Sequence, residues 1–243
     1  MKLKLGIFDS GIGGFTVLNS LLARNKDVEV IYLADVERNP YGEKNLGEIR
    51  IIASEICNWF SDKNLDALLI ACNTTNSSAL DILQKKLEIP CFDLINSVSE
   101  IISTNRIGVL ATSATVKTAS YKNIIESKSK NIKVFQQACP EFVYEIEKTT
   151  INSEKINYLS EIYLRSLLSC NIQELILGCS HYPLIYDLLR KKIPSEFLIE
   201  GNWFSQRFVL FLDVLRTKMV VHEPRGSFLS GSIFRVDGLE RRW

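Results

Sequence analysis

Twice along this chain a run of aliphatic residues ends in a cysteine and a small polar cluster. The first is Leu68-Leu69-Ile70-Ala71-Cys72-Asn73-Thr74-Thr75; the second is Leu175-Ile176-Leu177-Gly178-Cys179-Ser180-His181-Tyr182-Pro183. Each cluster opens a helical stretch. That is the pattern of a buried parallel strand carrying a side chain to the crevice at its C-terminal end. The duplication points to two similar α/β halves with one such thiol in each. Two thiols delivered alike to one crevice can work as an acid/base pair on opposite sides of a substrate carbon.

The rest of the chain fits that frame. Patterning predicts strands over 3–8, 29–34, 66–71, 91–95, 106–111, 132–136, 173–178 and 196–200. Helices are predicted over 14–24, 46–62, 75–87, 97–104, 115–127, 140–147, 154–169, 183–191 and 203–217. Short strands rich in Val, Ile and Leu, alternating with helices, mean βαβ units and parallel sheets. The expected fold class is α/β, with two similar parallel-sheet domains facing each other and the active site in the cleft between them. Breaks near Asn96 and near Gly201-Asn202 give a first domain of 1–96 plus 203–243, carrying Cys72, and a second of 97–202, carrying Cys179. No low-complexity linker separates them, so they should share a tight interface, where small-molecule pockets form.

Composition removes several function classes. The chain has 243 residues and a net charge of +1, which offers no basic field for general nucleic-acid binding. No apolar run approaches the ~20 residues of a membrane helix, and the N-terminus leads straight into a strand without signal-peptide architecture. Six cysteines lie at no disulfide-framework spacing, which suits a reduced cytoplasm. The two histidines, His181 and His222, exclude a His-rich metal site.

The candidate chemistry sits at strand ends. Cys72 taken alone reads first as a small core residue, but Asn73, Thr74 and Thr75 can cap the following helix and, with free backbone N–H groups, bind a carboxylate. A helix N-terminus also favours a thiolate. Beside Cys179, His181 can depress the thiol pKa or merely cap a helix. Phe8-Asp9-Ser10-Gly11-Ile12-Gly13-Gly14 ends a strand in a glycine loop that matches neither G-x-G-x-x-G nor a P-loop; Asp9 there can bind an ammonium group or shuttle a proton. Asn39-Pro40-Tyr41-Gly42 is a turn at the same sheet edge. Thr112 and Thr115 follow another strand. Cys139-Pro140 starts a helix whose end carries Glu147, which periodicity divides between crevice and solvent. Cys57, Cys91 and Cys170 have no such company and read as packing residues.

Taken together, FDSGIGG (8–14), NPYG (39–42), ACNTT (71–75), ATSAT (111–115), CPEFVYEIE (139–147) and LGCSHYP (177–183) resemble the glutamate racemase family of the cofactor-independent aspartate/glutamate racemase superfamily. The motifs run in family order over roughly three quarters of the chain. The resemblance implies interconversion of L- and D-glutamate without a cofactor or metal, to supply D-glutamate for bacterial peptidoglycan. Cys72 and Cys179 would be the two bases, assisted by Asp9, His181 and Glu147. The substrate would be held by Asp9-Ser10, Pro40-Tyr41-Gly42, Asn73-Thr74, Thr112, Thr115 and Ser180-His181, and Asp35 matches a family acidic position. A cytoplasmic homodimer is implied, with no direct nucleic-acid or membrane contact; regulation through DNA gyrase or a cell-wall precursor stays open. Alternatives are a racemase of aspartate or another acidic amino acid, and a non-catalytic binding protein such as a gyrase modulator. Ser180 stands where the family usually has Thr, and Glu141, Tyr144 and Glu145 occupy usually apolar or Pro positions.

Overall fold

The computed structural model of the protein describes residues 3–24, 28–196, 198–200 and 232–235. Its first sheet is ordered β4-β3-β1-β2-β9, from β1 (Leu3–Asp9), β2 (Val28–Ala34), β3 (Ala67–Ile70), β4 (Cys91–Asp93) and β9 (Ser232–Arg235). The first four are parallel, and β9 pairs antiparallel with β2, Tyr32 opposite Phe234. The second sheet is fully parallel, ordered β6-β5-β7-β8, from β5 (Arg106–Ala111), β6 (Lys133–Ala138), β7 (Glu174–Gly178) and β8 (Leu198–Glu200). We call each sheet with its helices a lobe. The architecture is therefore α/β with two sheets of like design.

Strands covered on both faces must be apolar on both, which is why they read as continuous aliphatic runs. Alternate residues of the first sheet divide between two cores. Phe8, Leu68 and Ile70 pack with Ile49, Ile52, Ile56 and Phe60 of α2 (Leu46–Phe60) and with Leu83 of α3 (Asn73–Lys86). Leu5, Ile7 and Leu69 face the other way, onto Val17, Leu18 and Leu21 of α1 (Gly14–Arg24). Each such burial is worth about 1.5–3 kcal/mol. In α4 (Leu94–Ser99) the chain changes lobes: Leu94 joins the first lobe's core, Ile95 and Val98 the second's. Beyond it lie α5 (Ser113–Thr118), α6 (Ser120–Glu126), α7 (Pro140–Ile146), α8 (Ser153–Ser169) and α9 (Tyr186–Arg190).

Strand order decides where a site can form. In the first sheet the connections leave β1 and β3 in opposite directions, and in the second they leave β5 and β7 so. Each divergence opens a crevice at the carboxyl ends of those strands. Asp9 and Cys72 stand at the first crevice, Thr112 and Cys179 at the second.

Several sequence expectations shift. The helix expected over 97–104 begins at Leu94, because the Asp93 side chain accepts from the Asn96 N–H and starts it early; the strand before it accordingly ends at Asp93. The helix expected over 115–127 is two helices, broken at Ala119 in the left-handed region (φ 53°). The break lets the Ser120 hydroxyl donate to the Ser77 carbonyl of the first lobe at 3.0 Å. The stretch 183–191 opens as a 3-10 turn (Tyr182–Ile185) before α9. The helix expected over 203–217 lies outside the described residues. No described helix is long and apolar enough to cross a membrane.

Candidate active site

Cys72 and Cys179, from opposite sheets, line one narrow pocket between the lobes. Ser10, Asn73 and Thr74 line it from the first lobe, together with the loop Asn39-Pro40-Tyr41-Gly42. Thr112, Val143, Ser180 and His181 close it from the second. Asp9, Thr115 and Glu147 stand one layer behind, each touching a lining residue. The Thr112 hydroxyl meets those of Thr115 at 3.0 Å and Thr74 at 2.9 Å, the latter across the lobes.

The first thiol differs from its sequence expectation. Asn73, Thr74 and Thr75 do not cap the helix; Cys72 itself is the N-cap residue, and they form the first turn of α3. The thiolate expected at the helix end is also absent from the resting site. Burial, then the nearby Asp9 carboxylate, pushes the Cys72 thiol up to about 12, against hydrogen bonds from Thr75 and Ser10. Cys72 therefore rests protonated.

The second thiol has a different partner. Cys179 Sγ lies 3.7 Å from His181 Nδ1, and His181 Nε2 lies 2.5 Å from Glu147 Oε1. Burial works against a charged imidazole, but hydrogen bonds to Cys179 and Glu147, with the charges of Cys179 and Asp9, raise His181 to about 10. Glu147 is pushed up by burial, yet His181, the Ile12 N–H and Asn39 bring it below the usual carboxylate value. The open question of which way Glu147 points is thus resolved toward the cleft. Burial raises the Asp9 carboxyl, opposed by the His181 charge and by the Gly11, Gly14 and Ser180 donors; the Ser180 hydroxyl reaches it from the second lobe at 3.0 Å.

The glycine loop serves close approach between lobes. A Cβ on Gly13 would lie 2.3 Å from His181 Nδ1, and one on Gly11 2.1 Å from Glu147 Oε1. Gly13→Ala should therefore displace the imidazole and lower kcat roughly 10–100-fold, since misplacement by about 1 Å can cost 10²-fold. Steady-state kinetics on the folded variant check this, and a near-normal kcat would show that the loop yields freely.

Behind Tyr41, the Asp35 carboxylate accepts from the Tyr41 hydroxyl and from Arg38 Nε at 2.6 Å, and Arg38 also pairs with Glu55 on α2. Asn39 and Val143 also line the pocket, beyond the residues expected from the sequence. Asn39 belongs to the Asn39-Pro40-Tyr41-Gly42 turn, which is its signal in the sequence; Val143 reads in sequence as an ordinary apolar helix residue. Of the other cysteines, Cys57 sits in the first lobe's core, and the half-buried Cys91 and Cys170 pack against the first and second cores respectively.

Two thiols at the ends of strands from different sheets, lining one pocket, define a two-lobed α/β protein with a small-molecule-sized cleft between its lobes. The chain belongs to the Asp/Glu/Hydantoin racemase family, which matches residues 16–204, and is thereby an amino-acid racemase. It is 50% identical over 214 residues to glutamate racemase of Prochlorococcus marinus (strain NATL2A), covering 87% of this chain and 80% of that one. Among solved structures, glutamate racemase from Francisella tularensis in complex with D-glutamate superposes with a TM-score of 0.81 at 33% identity, covering 89% of this chain and 81% of that one. Isoform RacE1 of Bacillus anthracis glutamate racemase gives a TM-score of 0.81 at 27% identity, covering 88% and 82%.

Proposed function

We propose that this protein interconverts L- and D-glutamate by a two-base mechanism, with Cys72 and Cys179 on opposite faces of the α-carbon. The observation that carries the reading is the pocket itself: two thiols from different sheets, lined on both sides by hydroxyl and amide groups. The glutamate racemase relatives, and the D-glutamate bound in the Francisella protein, favour glutamate over other acidic amino acids.

Inversion needs a base on one face and an acid on the other, because a single base returns the proton to the side it came from. In one direction a thiolate removes the α-proton and the opposing thiol delivers its own; in the other the roles exchange. The resting asymmetry suits this cycle, with Cys72 holding a proton and Cys179 beside an imidazole. The growing carbanion charge passes into the α-carboxylate, where fixed donors are worth several kcal/mol. In this reading backbone N–H groups of the first turn of α3 and the Thr74 and Thr112 hydroxyls supply them. Asp9 and Glu147 act from behind, and His181 from the pocket wall, on the protonation of the thiols.

We further propose that the domains divide as 1–96 plus 203–243 and 97–202. The protein would work as a cytoplasmic homodimer supplying D-glutamate for peptidoglycan. The test of the activity is NMR in D2O with L- and then D-glutamate and no added pyridoxal phosphate. Deuterium entering the α-position as the opposite enantiomer appears is the expected result. A folded protein that exchanges neither enantiomer would sink the reading and favour a non-catalytic binding protein.

A further inference from the structure

Glu147 caps the end of α7 in the second lobe, yet two of its donors come from the first. One is the Ile12 N–H, at 3.1 Å; the other is the Asn39 side-chain amide. Asn39 precedes Pro40 in the loop that lines the pocket. The junction is tight: the Cβ position of Gly11 lies 2.1 Å from Glu147 Oε1 and 2.7 Å from Asn39 Nδ2. The other end of the amide, Oδ1, is buried with no hydrogen-bond partner, which leaves the Nδ2 end, beside Glu147, as the end that can be held. From Glu147 the contacts run on to His181 Nε2 at 2.5 Å and from His181 Nδ1 to Cys179 Sγ at 3.7 Å. The charged or titratable groups facing His181 are Glu147, Cys179 and Asp9.

We propose that Asn39 is a positioning residue: its amide turns Glu147 onto His181 and so ties the substrate-side loop of the first lobe to the Cys179 arm of the second. A partly buried carboxylate stays charged only where donors replace its water. The Glu147 carboxylate has three such sources, His181, Ile12 and Asn39. Asn39 is the one on the pocket loop, beside Pro40, Tyr41 and Gly42. A shift of that loop would therefore reach the imidazole beside Cys179 through Glu147. The catalytic consequence rests on the racemase reading; the linkage from Asn39 to His181 does not.

The test pairs Asn39→Leu, near in size but without a donor, with Glu147→Gln in a double-mutant cycle. Asn39→Leu should lower kcat about 10-fold with KM within about 3-fold, and should lower it less than about 2-fold in the Glu147→Gln background. In parallel, histidine NMR follows His181, one of two histidines in the chain. Its titration midpoint should fall in Asn39→Leu and Glu147→Gln alike. Equal losses of kcat in both backgrounds, or an unmoved His181 midpoint in Asn39→Leu, would overturn the proposal. Should Asn39→Leu fail to fold, Asn39→Ala removes the same donor. A wild-type protein without racemase activity would count against the proposed function, while the His181 midpoint would still decide the linkage.

Discussion

Cys72→Ala and Cys179→Ala should each abolish racemisation in both directions, lowering the rate by about 10³-fold or more. A positioned general acid or base contributes about 10²–10⁴-fold, and here removal of either thiol leaves one face of the α-carbon without its proton carrier. The two losses should differ in one respect. With one thiol left, the protein can still take an α-proton from the enantiomer that presents it to that face and return a solvent-derived proton to the same side. Each variant should therefore exchange deuterium into one enantiomer without inverting it, and the two variants should select opposite enantiomers. Chiral analysis of glutamate after incubation in D2O reads both quantities. A folded single variant that racemises at near-normal rate would refute the two-base assignment. Both variants washing deuterium into the same enantiomer would refute the opposed placement.

The second large effect is on stability against pH. His181 is buried and its proton affinity is raised from 6.5 to about 10. A raised basic group contributes stability fully below its unfolded value and loses it as pH rises through its folded value. Between pH 6.5 and 9 the folded chain holds a proton that the unfolded chain does not, a difference on the order of 3 kcal/mol at 1.36 kcal/mol per pH unit. For a chain of this size that corresponds to a fall in Tm of roughly 10 °C. The raised Asp9 carboxyl withdraws stability as pH rises above its unfolded value of 3.8. The Cys72 thiol, raised to about 12, withdraws stability only above the unfolded thiol value of 9.0. Glu147→Gln removes one of the two hydrogen bonds that hold the His181 proton. Its Tm should lie well below wild type at pH 6.5, with the gap closing toward pH 9. Parallel curves across that range would mean that Glu147 does not hold the proton on His181.

Strand ends were legible where the pattern was strong. The aliphatic runs before Cys72 and Cys179 became β3 and β7 because a strand buried on both faces admits little else. Both cysteines reached the pocket, as did Ser10, Tyr41, Asn73, Thr112 and His181. Element edges were less legible, because they depend on single side-chain bonds. Asp93 moves the start of α4, and the bond from Ser120 to Ser77 accompanies the break at Ala119; neither has a hydrophobic period to announce it.

By itself, then, the sequence determined the alternation of strand and helix, the two-sheet plan and the pair of thiols at strand ends, because these follow from local periodicity and from which residues can be buried. Only the tertiary structure decided the protonation environment. Cys72 sits where burial and Asp9 hold its proton on, and His181 bridges Cys179 and Glu147. Glycines 11 and 13 prove to be points where the lobes nearly touch, and Asn39 reaches across to Glu147. The reason is that desolvation and through-space charge depend on which atoms meet when two lobes close, and the Asp9–Ser180 and Asn39–Glu147 contacts join residues more than a hundred positions apart.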